Sequence, residues 1–196
     1  MTATQPKAER FDAIVVGGGP AGLMLAIELG RRRIRTIVFD QDTSTTVNPQ
    51  ANATQARTME HYRRLGVADE IRERGLPQDY PTDIAYFTTY TGYELARFQL
   101  PSAKQAKHLI KNMKGSWSAA ELPHRVSQMY VEEVLHRHAA QLSSVDLRFE
   151  HQVTAVNDNI DHVIATVVTK LNKFDVSAQY LVGCDGPRSL VRKQLG

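Results

Sequence analysis

Two short apolar runs near the beginning of the chain predict neighbouring strands of a parallel sheet. Residues 12–17 (DAIVVG) and residues 35–40 (RTIVFD) are rich in β-branched side chains, which is typical of strands buried on both faces. Between them, the apolar positions of residues 23–29 indicate a helix that ends near Gly30. A strand, a helix and a second strand within about 30 residues form a unit of βαβ size, and its right-handed crossover would make the strands parallel neighbours.

Polar and glycine-containing breaks divide the next part of the chain. Residues 41–54 are rich in Thr, Asn, Ser and Gln and predict a surface loop. Helices are expected over residues 56–65 and 67–74, because a glycine follows each of these segments and ends its pattern.

A hairpin is predicted in the middle of the chain. Residues 84–90 and 93–100 have the composition of strands, and Thr91 and Gly92 can form the turn between them. Residues 101–124 are polar and contain several lysines and the only tryptophan. This segment is expected to be irregular.

The last third of the chain predicts one helix followed mostly by strands. Ser127 can cap a helix that runs to about residue 141. Residues 145–149 and 180–183 predict further strands, and residues 189–195 predict a last helix. An antiparallel meander is expected from residues 153–156, 163–168 and 174–178. The predicted fold class is therefore α/β: a Rossmann-like open parallel sheet with helices on both faces, a β-meander and a partial second domain.

Composition and charge are those of an ordinary soluble globular protein. The 196 residues are 42% hydrophobic and 23% charged, and the net charge of +3 is too small to predict a nucleic-acid partner. No apolar run approaches the roughly 18–20 residues of a membrane span, and the polar first ten residues lack the core of a signal peptide. We therefore expect a cytoplasmic protein with no membrane partner.

Cysteine and histidine positions predict no metal site. Cys184 is the only cysteine, which excludes a disulfide within the chain and a multi-cysteine zinc site. His136 and His138 are two residues apart on a predicted helix, so they point to different faces and are expected at the surface.

A Gly-x-Gly-x-x-Gly motif lies between the first strand and the first helix. It consists of Gly17, Gly19 and Gly22, with Pro20 and Ala21 before the last glycine. The first glycine permits a tight turn, the second lets the backbone approach a pyrophosphate, and the third lets the helix pack against the strand. The free N–H groups and partial positive charge of the helix N-terminus favour the anion.

Asp40 supplies the acidic partner of this motif. It ends the second strand, about 20 residues after the turn, where a carboxylate can accept hydrogen bonds from a ribose hydroxyl and would repel a 2′-phosphate. A glycine turn with a capping Asp and no ligand is the alternative. The motif and Asp40 together predict an adenine dinucleotide, either FAD or NAD. A short-chain NAD dehydrogenase is disfavoured, because no Tyr here has a Lys four residues later.

Three further motifs decide between FAD and NAD. They are residues 57–60 (RTME), residues 125–132 (RVSQMYVE) and residues 184–192 (CDGPRSLVR). Together with the glycine turn, and in this order and spacing, they resemble the single-component FAD-dependent aromatic and polyketide hydroxylases, the para-hydroxybenzoate-hydroxylase-like group. The resemblance runs over nearly the whole chain.

The resemblance implies a role for each matching residue. The three glycines would lie against the FAD pyrophosphate, Asp40 would hold the adenosine ribose, and Arg57 would reach the phosphate or ribityl region. Gln128 would also contact FAD, while Asp185 and Gly186 would match a second dinucleotide motif that supports both FAD and transient NAD(P)H binding. Each has an alternative: Arg57 as a surface arginine, Gln128 as a stabiliser of its helix, and Asp185 as a cap of the last helix.

The activity that the resemblance implies is NAD(P)H-dependent hydroxylation of a phenolic or aromatic small molecule through a flavin C4a-hydroperoxide. FAD is non-covalent and carries the difficult chemistry, and no metal is needed. Related enzymes continue past the Asp-Gly motif into a substrate-domain sheet and a third, Gly-Asp motif. We therefore expect a C-terminally truncated portion of a monooxygenase, active when completed by another chain or as part of a longer gene product. The expected partners are a complementing chain or further copies of this chain in a homo-oligomer. The alternative is an FAD-binding module without turnover of its own.

This resemblance also predicts the domain organisation. Residues 1–10 would be a disordered tail, and residues 11–80 the first part of the FAD-binding domain. Residues 81–124 would be a partial substrate-domain segment, and residues 125–196 the second part of the FAD-binding domain.

Overall fold

The computed structural model describes residues 10–115 and 118–196, which form two compact units. The first unit comprises residues 10–47 and 135–196, and the second comprises the described residues between 48 and 134. The expected disordered tail falls on residues 1–9, outside the described residues, apart from Arg10. The domain boundaries expected after residues 80 and 124 stay predictions.

The elements of the described chain are numbered in chain order. The strands are β1 (Arg10–Val16), β2 (Thr36–Phe39), β3 (Ala53–Thr54), β4 (Ile84–Phe87), β5 (Glu94–Phe98), β6 (His124–Arg125), β7 (Val145–Arg148), β8 (Gln152–Asp158), β9 (Val163–Val168) and β10 (Lys173–Gly183). The helices are α1 (Pro20–Arg31), α2 (Ala56–Leu65), α3 (Ala68–Glu73), α4 (Ala103–Leu109), α5 (Gln128–Ala140) and α6 (Leu190–Leu195).

A six-stranded sheet in the order β7-β2-β1-β10-β9-β8 forms the centre of the first unit. The four strands β7, β2, β1 and β10 are parallel, whereas β9 and β8 pair antiparallel as a meander. The prediction that β1 and β2 are parallel neighbours is confirmed. Because parallel strands end at the same edge, the segments after β1, β2 and β10 meet there.

The two strands expected at residues 174–178 and 180–183 are one strand, β10, so that prediction is wrong. Residues 173–178 pair antiparallel with β9, and residues 177–183 pair parallel with β1. The strand runs through the exposed residue Gln179, because the chain stays extended where it exchanges one partner for the other.

Side chains of the first unit bury two faces of this sheet. Ile14 and Phe39 point into one cluster that includes the meander and Val191 of α6. Val15 and Val38, one residue away from them, point into a second cluster that includes residues of α1. Since successive residues of a strand face opposite sides, the sheet carries a helix on each face, as predicted.

The second unit contains α2 and α3, two short two-stranded pairings and α4. Helix α2 has the predicted bounds and ends at Gly66, whose φ of +75° is the left-handed conformation that glycine adopts most readily. β4 and β5 form the predicted hairpin, although both strands are shorter than expected. β3 pairs with β6, so the expected loop at residues 41–54 ends in a short strand.

The expectation of an irregular segment at residues 101–124 is wrong for α4. A capping box begins this helix: the backbone N–H of Gln105 donates to the Ser102 hydroxyl at 3.3 Å, and the Ser102 N–H donates to the Gln105 side chain at 2.9 Å. Ala103 and Ala106 are buried, while the lysines of the helix stay exposed. Trp117, part of the same prediction, lies outside the described residues.

Among residues 10–115 and 118–196, none of the helices combines the length and the apolarity that a membrane span requires. The same part of the chain holds no group of three or more His, Cys, Asp or Glu side chains arranged to bind a metal ion. His136 and His138, expected at the surface, are both half-buried, and the His136 ring packs against Phe149.

Candidate dinucleotide-binding site

Three loops meet at the carboxyl edge of the parallel strands in the first unit. Gly17 follows β1, Asp40 follows β2, and Cys184 and Asp185 follow β10. Helix α1 leaves this edge toward one face of the sheet and α6 toward the other. The two helices thus leave neighbouring strands on opposite faces of the sheet, and open α/β sheets bind their ligands at the carboxyl ends of such strands.

Gly17 is required because two loops touch there through their backbones. Its φ is +106°, and its N–H donates to the Phe39 carbonyl at 2.8 Å. A Cβ at Gly17 would overlap the carbonyl oxygen of Cys184 and lie 2.9 Å from the backbone nitrogen of Asp185. The first glycine thus permits both the turn and the approach of the second loop.

Gly22 brings α1 against the turn that precedes it. A Cβ at this position would overlap the Gly17 carbonyl oxygen and lie 3.3 Å from the Val15 side chain. This geometry agrees with the expected task of the third glycine, which is close packing of the helix on the strand.

Gly19 differs from the other two glycines because its surroundings are open. It is the N-cap residue of α1, with φ −74° and ψ −174°, and a Cβ there would have no described atom within 4 Å. Among the described residues no side chain caps the helix, its first turn contains no acidic residue, and Pro20 begins it. The backbone at this helix N-terminus is therefore open to an anion, so the residues fit a diphosphate.

Asp40 points toward the glycine turn. The backbone N–H of Gly18 donates to one carboxylate oxygen at 2.5 Å, and the N–H of Asp42 donates to the other at 2.8 Å. Asp40 is only half-buried, and a carboxylate has about four acceptor positions in all. Its remaining capacity suits the hydroxyls of a ribose.

Gly18 is a site residue that the motif alone does not reveal. A Cβ there would lie 3.2 Å from both the Asp40 carboxylate and the Phe149 ring. The motif treats this position as variable, although the run of three glycines at 17–19 was a signal for it. Gly18 therefore keeps Asp40 close to the turn.

Asp185 accepts hydrogen bonds at the beginning of α6, which is the capping alternative that the sequence left open, and the N-cap residue Ser189 accepts from the Arg192 N–H at 3.0 Å. The Ser189 hydroxyl donates to one carboxylate oxygen at 2.6 Å, and the N–H groups of Leu190 and Val191 donate to the other at 2.6 Å and 3.2 Å. Burial opposes ionisation, but these hydrogen bonds outweigh it and lower the pKa of Asp185. Gly186 follows with a φ of +74°. Contact of Asp185 and Gly186 with a cofactor stays a prediction.

Replacing Asp185 by Ala is expected to destabilise the chain by about 1 kcal/mol, the usual effect of removing a helix cap. Because its folded-state pKa is lowered, its contribution is complete above the unfolded value of about 3.9 and is lost as the pH falls toward the folded value. Thermal melts at pH 7 and pH 3 should show the Tm difference from wild type shrinking at pH 3. Asp161→Ala, at an exposed position, is the control; equal melting of Asp185→Ala and wild type at pH 7 would contradict the cap.

The other two candidate residues, Arg57 and Gln128, lie in the second unit. The Arg57 side chain is 83% exposed and pairs with Glu60 at 2.9 Å, which is the geometry of the surface alternative. The Gln128 side chain binds Glu132 and the backbone of Gln50. The expected Ser127 cap is not seen: its hydroxyl is buried with no hydrogen-bond partner in the described residues, and its backbone carbonyl accepts the first helical bonds instead.

The first unit has the fold and the glycine turn of a dinucleotide-binding domain. Residues 10–196 match the family model described as FAD binding domain, so the chain belongs to that family. Its relatives carry names such as FAD-dependent monooxygenase, 2,4-dichlorophenol 6-monooxygenase and putative polyketide hydroxylase.

Two relatives and one solved structure illustrate the match. Aklavinone 12-hydroxylase DnrF of Streptomyces peucetius subsp. caesius is 33% identical over 204 residues, covering 100% of this chain and 39% of that protein. The 2,4-dichlorophenol 6-monooxygenase of Delftia acidovorans is 29% identical over 187 residues, covering 94% and 31%. The crystal structure of the flavin-dependent monooxygenase PieE with FAD and substrate aligns with a TM-score of 0.82 and 26% identity, covering 95% and 32%.

The chain spans about a third of the length of the relatives it matches: it covers 30% of the FAD-dependent monooxygenase apdD of Emericella nidulans and 39% of the aklavinone hydroxylase. The matched third contains the glycine turn and Asp40. Family membership is therefore shown for residues 10–196 of this chain.

Proposed function

We propose that this chain binds FAD non-covalently and forms the FAD-binding part of an NAD(P)H-dependent monooxygenase that hydroxylates a phenolic or other aromatic small molecule. The observation that carries the proposal is the open backbone at Gly19, at the uncapped beginning of α1 and beside the carboxylate of Asp40. A diphosphate and a ribose are the two groups that such an arrangement recognises.

The first turn of α1 and Asp40 would each bind a different part of FAD. Backbone N–H groups in the first turn of α1 would bind the FAD pyrophosphate, since no side chain of the helix occupies that end. Asp40 would accept a hydrogen bond from a hydroxyl of the adenosine ribose, and its charge would disfavour the 2′-phosphate of NADP in the same place. Asp185 and Gly186, on the adjacent loop, would support the same cofactor.

When bound, FAD supplies the redox and oxygen-transfer chemistry, and NAD(P)H is the electron donor that the family resemblance implies. The described residues orient the cofactor. Relatives named for the hydroxylation of aklavinone and of 2,4-dichlorophenol support an aromatic substrate class. Arg57 and Gln128 are proposed as further contacts of FAD, on the resemblance of the motifs that contain them.

FAD is expected to raise the melting temperature of the purified chain, because a ligand that binds only the folded state stabilises it. The gain is about 2.7 kcal/mol when free FAD is a hundredfold above its dissociation constant. Differential scanning calorimetry with FAD, and with NADP⁺ at the same concentration as the control, measures it. NADP⁺ should produce a much smaller shift, and an FAD melt that matches the ligand-free melt would rule the proposal out.

A further inference from the structure

An aromatic side chain lies beside the glycine turn of the first unit. Phe149 follows β7 and Gly18 follows β1, and β2 lies between these two strands in the sheet. A Cβ at Gly18 would nonetheless lie 3.2 Å from the tip of the Phe149 ring, its Cζ atom. The Phe149 side chain therefore extends over the carboxyl end of β2 toward the turn.

The Phe149 ring is also a neighbour of the Asp40 carboxylate. A carboxylate oxygen of Asp40 and the Cζ atom of Phe149 would each lie 3.2 Å from the same added Cβ on Gly18. The backbone joins the two loops as well: the Asp40 N–H donates to the Arg148 carbonyl at 3.0 Å, and the His151 N–H donates to the Asp40 carbonyl at 2.8 Å. These two bonds, one on each side of Phe149 along the chain, hold its loop next to Asp40.

Packing in the interior of the sheet does not explain the position of this ring. Phe149 belongs to neither of the two clusters of described residues that bury the faces of the sheet. The His136 ring of α5 packs against it, with centroids 5.4 Å apart and ring planes at 56°. The Phe149 side chain is only half-buried, so part of its ring is open to solvent. A supported and partly open aromatic ring offers a flat apolar surface at the edge where the sheet would bind a ligand.

We propose that Phe149 is the stacking surface for the adenine of FAD and thereby sets the affinity for the adenosine half of the cofactor. The proposal rests on the FAD-binding function proposed above, in which Asp40 accepts from the adenosine ribose. Adenine is bonded directly to that ribose, so a ring beside the Asp40 carboxylate is within reach of the base. An aromatic side chain binds the π face of a base by stacking, without any match of hydrogen-bonding groups.

The test measures binding of FAD by flavin fluorescence and binding of ADP by calorimetric titration, because ADP carries the base, the ribose and the diphosphate without the flavin. Phe149→Leu keeps an apolar side chain but removes the π face, and about tenfold weaker binding of both ligands is expected. Phe149→Tyr keeps the ring and should bind both ligands about as tightly as wild type. Phe11→Leu makes the same change at another half-buried phenylalanine, at the opposite end of β1 from the glycine turn, and should leave both affinities unchanged.

Failure of the stacking role can be distinguished from failure of the proposed function. Wild-type protein that binds no FAD overturns the proposed function, and the role of Phe149 with it. Wild-type protein that binds FAD, with Phe149→Leu binding both ligands equally well, overturns only the stacking role, and a lowered Tm at unchanged affinities then assigns the ring to stability alone. Weaker binding of FAD at unchanged ADP affinity also overturns it, because the contact would then lie outside the adenosine half.

A measurement on the wild-type protein decides the question if Phe149→Leu does not fold. The NMR signals of the Phe149 ring are identified by their absence from the spectrum of Phe149→Tyr. Stacking of adenine on the ring should shift these signals upfield when ADP is added. Phe149 signals that stay in place while ADP binds would overturn the stacking role.

Discussion

Gly22→Ala is expected to destabilise the chain by about 3 kcal/mol or more, at the upper end of what overpacking usually costs. The added Cβ would overlap the Gly17 carbonyl oxygen and lie 3.1 Å from the Gly17 carbonyl carbon. Both partners are backbone atoms of the β1–α1 turn, so no flexible side chain can move aside. Urea denaturation followed by circular dichroism measures the change.

Gly19→Ala is the matched control for this effect. It adds the same atom three residues earlier, at a position with an ordinary φ and no described atom within 4 Å of the new Cβ. Its cost should be about 1 kcal/mol at most, the difference between Gly and Ala at a helix N-cap. Equal stabilities of the two variants would contradict the close packing of α1 on the turn.

The same Gly19→Ala variant is expected to bind FAD at least about a hundredfold more weakly than wild type. The fold leaves the space beside Gly19 open, and the proposed pyrophosphate would use that space to approach the backbone N–H groups. A methyl group there would hold the diphosphate away and weaken several charge-assisted hydrogen bonds, each contributing about 1.5–3 kcal/mol. Flavin-fluorescence titration of the two proteins compares their dissociation constants.

This prediction distinguishes a binding site from a structural turn. A turn that only joins β1 to α1 would tolerate Ala at residue 19 with no change in ligand affinity. If the turn is a diphosphate-binding site, the Gly19→Ala variant would bind FAD more weakly while its circular dichroism spectrum stays that of wild type. Unchanged FAD affinity in a folded Gly19→Ala protein would place the pyrophosphate elsewhere.

The sequence alone predicts the βαβ unit and α2 well because local signals agree there. Residues 12–40 combine apolar strands, a glycine turn and an apolar helix face, and each signal supports the same arrangement. The end of α2 follows from Gly66, since a glycine in the left-handed conformation ends a helix. Asp40 is predictable as a turn-facing carboxylate from its place at the end of β2.

Other features depend on contacts between distant residues, which no local pattern contains. β10 is continuous because it exchanges β9 for β1 as its partner along its length. The contact between Gly17 and Cys184 joins segments far apart in the chain. The capping box at Ser102 and Gln105 could have been recognised locally, but the lysines around it concealed a short helix with two buried alanines.

In the candidate site, too, some features could be predicted from local sequence, and others depend on contacts between distant residues. The glycines and Asp40 were predictable from spacing, whereas the use of Asp185 as a cap needed the positions of Ser189 and the α6 backbone. The bond between Gln128 and Glu132 has the spacing of a helical pair, but the burial of Glu132 comes from the packing of the second unit.

The most direct test of FAD binding is the absorbance spectrum of the purified chain after incubation with FAD and gel filtration. Flavin that elutes with the wild-type protein in near-equimolar amount, and that is absent from an equally folded Gly19→Ala protein, is the predicted result. Wild-type protein that elutes colourless, or the two proteins retaining equal amounts of flavin, would contradict the site at the beginning of α1.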